Sequence, residues 1–266
     1  MKTEPNLPSS EPDALIVLKD VEVSEASEPG HCLIKDWDWR INENEFWVLG
    51  GMAGAGKTQL LSVAAGLNKP KNGLLKLFGK EVQQLDPESW LEEKLRLGIV
   101  FEDGGRVFQD LSVFENLMLP LSYHELDEAD KNHAWVFRVL ERMGMQSMSN
   151  RLAGRLSRNW RQRLGLARAM VLRPDVLFLD NPLGVVDSHH GQWWLDFLDS
   201  MMGGEFEWKP RSLVVSANDL TPWMGRADCL GLIHESRWIV MDPAQVDELS
   251  KSDLIRALST GIKQSQ

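Results

Sequence analysis

The sequence predicts an α/β domain built on a mostly parallel, doubly wound sheet, and two observations predict it. Five short apolar runs, at residues 46–49, 97–101, 176–179, 213–216 and 230–233, are separated by stretches of helical pattern. Runs that are apolar throughout, rather than alternating, belong to strands buried on both faces, and helices between them supply the crossovers that parallel pairing needs. The second observation is a glycine-rich segment set between the first run and a helical pattern at 59–66.

Taken in order, residues 1–12 are polar, carry Pro5, Pro8 and Pro12, and read as a disordered lead-in without the apolar core or basic start of a secretion signal. Residues 13–262 read as one domain, and 263–266 as a fraying tail after a polar helical stretch that begins near Ala244. Between the second and third strands lies a helical region, about 103–157. In it Met118, Trp135, Phe137, Leu140 and Met143 fall at near-helical spacing and predict the core of a small helical subdomain.

Composition excludes several classes. Hydrophobic residues at 43% and charged residues at 26% are those of a folded chain. The net charge of -10 repels a phosphate backbone, so nucleic acid is not an expected partner. No apolar run approaches the roughly 20 residues needed to cross a bilayer. The two cysteines, Cys32 and Cys229, lack a C-x-x-C spacing, which predicts neither a disulfide nor a zinc site and fits a reducing cytosol.

Gly51, Met52, Ala53, Gly54, Ala55, Gly56, Lys57 and Thr58 match the phosphate-loop pattern of glycine, four residues, glycine, lysine and a hydroxyl residue, with Gln59 next in the helix. The strand before and the helix after are where the mechanism requires them. Glycines let main-chain N–H groups converge on phosphate, the helix N-terminus adds its positive end, Lys57 reaches the β and γ oxygens, and Thr58 ligates Mg²⁺. The strand at 176–179 ends in Asp180, the arrangement in which one carboxylate holds the same ion.

Around these two motifs the sequence resembles the ATP-binding-cassette (ABC) ATPase family over residues 15–261. The segment Leu156-Ser157-Arg158-Asn159-Trp160-Arg161-Gln162 looks like that family's signature and the start of its helix. Residues 180–187 look like Walker B running into the D-loop, and Asn218 lies where the switch histidine falls. Residues 97–105 with 111–121 are similar to the ATPases of bacterial lipid-trafficking, solvent-tolerance-type transporters. The resemblance implies a P-loop NTPase of ABC type, with an antiparallel β edge and the helical subdomain inserted between Q-loop and signature. It further implies ATP and Mg²⁺ as ligands, a second ABC subunit, and an integral membrane permease that holds the chain on the inner face of the cell membrane.

Four motifs depart from the family pattern. Asn181 replaces the glutamate that orients or deprotonates the attacking water, and an amide has no basic lone pair for that proton. Asn218 replaces the histidine that steadies charge on the γ-phosphate. Glu102 stands at the Q-loop glutamine, where a carboxylate still suits Mg²⁺ alongside Thr58 and Asp180. Arg158 and Asn159 replace the signature's glycines, and Trp160 its glutamine. In the family Ser157 and those glycines close over the other subunit's γ-phosphate, so side chains there obstruct the approach, unless Arg158 offers its guanidinium instead.

Loss of a positioned base and of a charge-stabilising donor each costs on the order of 10²-fold in rate. Slow hydrolysis is therefore expected, with ATP binding kept. A neighbouring carboxylate, Asp187 or Asp219, is the alternative base. Because ABC sites are composite, a homodimer has neither site intact, and an intact partner would still face this chain's altered signature.

Adenine has no obvious platform: residues 24–30 carry no aromatic, and His31 and Trp37 read as ordinary packing. Trp193 and Trp194, from a chain of 11 Trp and one Tyr, also read as core, and the adjacent His189 and His190 point apart on a helix, which is poor geometry for a metal. The expectation is an ATP-binding subunit that dimerises around Mg-ATP to drive or gate a permease; the alternative is a non-transport pseudo-ATPase whose ATP-closed dimer is a scaffold.

Overall fold

A computed structural model describes residues 14–24, 32–70, 72–124, 126, 129–234 and 237–241. The expected lead-in and tail, the helical stretch after 244, His31 and most of the turn at 24–30 lie outside those residues.

Each of the five predicted runs is a strand. β3 (Phe46–Gly51), β6 (Leu97–Val100), β7 (Val176–Asp180), β8 (Ser212–Ala217) and β9 (Cys229–His234) stand in the order β9-β3-β8-β7-β6, every neighbouring pair parallel. β10 (Arg237–Met241) closes the β9 edge as an antiparallel hairpin. Alternate side chains of these strands enter two different cores. Val48, Leu177, Leu179, Leu213 and Val215 face one, whereas Trp47, Leu49, Val176, Phe178 and Val214 face the other. That is why the runs carry no polar alternation: both faces of the sheet are covered.

The second core is roofed by α1 (Lys57–Ala64) and by a four-stranded antiparallel sheet. That sheet has the order β2-β1-β4-β5, from β1 (Ile16–Ser24), β2 (Cys32–Ile41), β4 (Leu74–Leu77) and β5 (Lys80–Glu81). The expected antiparallel edge is thus a layer of its own. Trp39 sits 5.5 Å from Trp37, 5.4 Å from Trp47 and 5.4 Å from Trp238 between ring centroids, so much of the tryptophan excess joins the two sheets. Trp37 is fully buried there, as core packing requires. α2 (Pro87–Leu95) leads from this layer into β6, started by Asp86, whose carboxylate accepts from the Glu88 and Ser89 amides ahead of a first-turn proline.

The first core extends under α3 (Val113–Tyr123) and α4 (Ala129–Arg142), the helical subdomain, which packs on α5 (Arg158–Met170) and α6 (Ser188–Met202). Ser112 and Glu115 start α3 with reciprocal side-chain-to-backbone bonds of 3.1 and 2.7 Å, a capping box. Residues 101–111 form a loop rather than helix. Trp135, Leu140 and Met143 are buried as predicted, but Phe137 is 51% exposed, a correction to the expected stripe. Two residues on a helix turn about 200°, so Phe137 cannot share the face of Trp135; it lies against Phe114, ring centroids 5.2 Å apart.

Candidate functional site

β3 hands the chain to the glycine-rich loop, and α1 takes it up. Gly54 and Gly56 adopt φ values of 80° and 96°, a left-handed backbone that other residues rarely accept. Gly56 is the N-cap of α1; no side chain caps the helix and no acid stands in its first turn. Its leading N–H groups are therefore left for an anion. Lys57 is buried, and its Nζ donates to the Gly51 and Met52 carbonyls at 2.7 and 2.9 Å, folding the ammonium back along the loop. Burial pushes its pKa down to about 8 against the opposing pull of Asp180 and Glu102.

The Thr58 hydroxyl donates to Asp180 Oδ2 at 2.6 Å, joining residues 122 apart in sequence. Lys57, Thr58 and Asp180 thus meet as the motifs predict. β7 and β8 place Asp180 beside Ser216 in register, and the Ser216 hydroxyl donates to Asp180 Oδ1 at 2.6 Å while accepting from the Asn181 amide at 3.0 Å. Sequence reasoning missed Ser216. Its signal was a lone hydroxyl at the end of an apolar strand, visible only once β7 and β8 are known to be neighbours.

Asn181 is buried at φ 44°, a left-handed conformation that asparagine tolerates better than most residues. Its Nδ2 donates to Glu102 Oε1 at 2.8 Å, and its Oδ1 accepts a long, 3.4 Å bond from the main-chain N–H of Asn218. Any Cβ at Gly184 would collide with both the Asn181 amide and the Glu102 carboxylate, so glycine there makes room for the pair. Buried Gln162, also missed, donates to the Glu102 and Pro182 carbonyls at 3.0 and 2.9 Å and accepts from Trp194 Nε1 at 3.1 Å. One amide on α5 ties the loop after β6 to the loop after β7.

Ser157 and Arg158 are placed elsewhere. Ser157 is the N-cap of α5, and Arg158 lines a cavity with Asp103, Arg106, Phe108 and Arg161. Asp187 is also away from the phosphate loop: it is the N-cap of α6, and its carboxylate accepts from the His190 amide at 2.9 Å and from Asn159 Nδ2 at 2.5 Å. Chiefly through that His190 backbone bond, its pKa is lowered, which makes it a weaker base. Asp219 is exposed and accepts from the Thr221 amide at 2.9 Å.

Comparison with known proteins places this geometry. The family described as ABC transporter matches residues 34–184, more than half of the 266-residue chain. The chain belongs to the ABC transporter family. Its fold is that of solved cassettes. A dimeric ATP-binding cassette, MJ0796, in a post-hydrolysis state with ADP and Pi superposes with a TM-score of 0.75 at 20% identity, covering 86% of this chain and 98% of that one. cbiO1 of Clostridium perfringens, part of the transporter complex cbiONQ, gives 0.74 at 19%, covering 92% and 94%. Among curated relatives, the spermidine/putrescine import ATP-binding protein PotA of Fusobacterium nucleatum is 32% identical over 68% of this chain and 47% of its own length. The bacitracin export ATP-binding protein BceA of Halalkalibacterium halodurans is 30% identical over 59% of this chain and 61% of its own. The match therefore spans about half the length of the first and under two thirds of the second.

The ABC chain's own residues fit a magnesium-bound phosphate. No group of three His, Cys, Asp or Glu assembles among the described residues, so any ion here has few protein ligands. Mg²⁺ suits that, since it keeps waters and takes phosphate oxygens beside one or two protein oxygens. Thr58 and Asp180 supply adjacent oxygens at the end of the loop. Among the described residues no helix is long and apolar enough to cross a membrane.

Proposed function

We propose that this chain is the ATP-binding subunit of a membrane transporter: it holds Mg-ATP on the loop of Gly51, Met52, Ala53, Gly54, Ala55 and Gly56, closes as a dimer around it, and drives or gates an integral membrane permease. Lys57 neutralises the phosphates, Thr58 and Asp180 take the ion, and Glu102 lies close enough to Lys57 to share that electrostatic field. The observation that carries the reading is the 2.6 Å bond between Thr58 and Asp180, which brings the phosphate-loop and Walker B halves into one site. The transporter relatives support the permease, and the pattern at residues 97–121 favours a lipid-trafficking type.

Hydrolysis is slow in this reading. Asn181 and Asn218 supply hydrogen-bonding groups but neither a base nor a positive charge, and the Asn181 side chain is already engaged, donating to Glu102 and accepting from the Asn218 main chain. The signature of each subunit, Ser157 followed by Arg158, meets the other subunit's nucleotide with side chains where the family has glycine.

Equilibrium titration with ATP, with and without Mg²⁺, tests the binding claim when sedimentation reports the dimer and phosphate release reports turnover. Saturable, Mg²⁺-dependent binding that shifts the chain to a dimer is expected; no nucleotide uptake would end the proposal. For the slow step, the triple variant Glu102→Gln/Asn181→Glu/Asn218→His is expected to release phosphate at least ~10²-fold faster than wild type. Equal rates would remove slow hydrolysis from the reading and leave binding intact.

A further inference from the structure

In the family pattern an amide stands at the position of Glu102 and a carboxylate at that of Asn181; here the two have changed places across one hydrogen bond of 2.8 Å. The exchange keeps one amide and one carboxylate in the pair and moves the negative end from the β7 terminus to the loop after β6. The surroundings hold the exchanged pair in place. Gln162 bonds both loops, at the Glu102 and Pro182 carbonyls, and Gly184 leaves the space the pair occupies.

The other carboxylates weighed for this role each have a structural task. Both oxygens of Asp180 accept hydroxyl bonds, from Thr58 and Ser216. Asp187 caps α6, and Asp219 accepts from the Thr221 amide. Glu102 is half-buried, faces Lys57 electrostatically, and is oriented by an amide donor. A carboxylate fixed in this way beside the phosphate loop is what an attacking water needs as its acceptor.

We propose that Glu102 has taken over the task of the missing carboxylate at position 181: it accepts the proton of the attacking water, and Asn181 holds it in place. This rests on the ATP-binding reading above. In the step, the water oxygen bonds to the γ-phosphorus while the bond from that phosphorus to the β–γ bridging oxygen breaks, its electron pair leaving with ADP, and the water proton passes to the Glu102 carboxylate. Turnover stays slow because Asn218 and the altered signature still lack the family's charge-stabilising groups.

The test is a two-residue cycle on the full chain, read by phosphate release, Mg-ATP affinity and the lifetime of the ATP-bound dimer in sedimentation. Glu102→Gln leaves two amides facing each other; phosphate release is expected to fall at least ~10²-fold, by far more than Mg-ATP affinity changes, with a longer-lived dimer. Asn181→Glu alone puts two carboxylates within hydrogen-bond distance, where like charges drive them apart, and gives no gain. The double variant Glu102→Gln/Asn181→Glu restores a single carboxylate and recovers at least the wild-type rate, a strongly non-additive cycle.

Several results overturn the proposal. If Glu102→Gln releases phosphate as fast as wild type, Glu102 accepts no proton. If its main effect is lost affinity, Glu102 holds the ion instead, and if the double variant stays as slow as Glu102→Gln, the two positions are not interchangeable. A wild type that binds ATP but releases no phosphate also overturns it while leaving the binding reading standing; a wild type that binds no ATP removes that reading itself.

Discussion

Two helix N-termini in this protein, each assigned to phosphate in the proposed reading, are built in opposite ways. α1 begins after Gly56 and α5 after Ser157, and neither is closed by a side-chain cap. At α1 the preceding residues are Gly54, Ala55 and Gly56, so the leading amides are reachable. At α5 the first turn is Arg158, Asn159, Trp160 and Arg161, and two of its side chains are tied down: Asn159 to Asp187, and Trp160 edge-on to His190 at 5.7 Å with Arg163 of the next turn 4.6 Å over its ring. One end is built to receive an anion, the other is occupied by its own neighbours. Ground-state grip on a nucleotide and closure over a partner's nucleotide are separate properties, and in the proposed reading this chain keeps the residues for the first while altering those for the second.

The largest effect that sharpens this contrast is Lys57→Ala. Removing a buried, charge-assisted donor from the phosphates is expected to weaken ATP binding by about 10²-fold. Arg158→Ala, at the equivalent end of α5, is expected to change it less than ~2-fold, within the range of surface substitutions. Equal losses in a side-by-side titration would erase the difference between the two ends.

Lys57 also sets a pH dependence. Its pKa is lowered from 10.5 to about 8, so between those values the unfolded chain holds a proton that the folded chain has given up. Folding stability from this group therefore rises with pH across the window from about 8 to 10.5, as the charge no longer has to be buried. Nucleotide binding runs the other way, since phosphate needs the ammonium. Apparent ATP affinity is expected to fall by up to ~10-fold per unit as pH rises past that pKa, and Lys57→Ala should flatten the slope. A slope unchanged in the variant would assign the dependence to another group.

Asp180→Asn is next. It leaves one amide oxygen to accept from Thr58 or Ser216, reverses the other bond so that the new Nδ2 donates to the remaining hydroxyl, and removes the charge that a divalent ion needs. The gain in ATP affinity on adding Mg²⁺ is expected to shrink by about 10-fold, while affinity without Mg²⁺ changes little. Ion-independent binding in wild type would contradict the assignment of Asp180.

What the sequence disclosed follows the same division. All five parallel strands were legible, because burial on both faces writes a continuous apolar run. The antiparallel layer was not legible from the residues: β1 carries Lys19, Asp20 and Glu22 among its apolar positions, and its partners β2 and β4 lie before and after the whole phosphate-loop segment. Lys57, Thr58 and Asp180 were found from local spacing. The Asn181–Glu102 bond and the Ser216 and Gln162 ties were not, since each links residues 20 to 79 positions apart through the strand order β8-β7-β6 and the crossing of α5. Motif spacing reports what a loop can grip; only the sheet order reports which side chains face each other across it.

The smallest effect addresses what holds the α5 end closed. Asn159→Ala cuts the bonds to Asp187 and to His190 Nδ1 but leaves the Asp187 cap on the His190 main-chain N–H, so α6 keeps its start. Loss of these two bonds near the surface of a chain of this size should lower Tm by no more than about 4 °C. If the tie to α6 is what keeps Ser157 and Arg158 from another subunit's phosphates, the ATP-dependent dimer should nevertheless form at lower protein concentration in Asn159→Ala than in wild type. A dimer unchanged by that substitution would place the obstruction in Arg158 and Trp160 themselves, and the double change Arg158→Gly/Trp160→Gln would then be the one to restore closure.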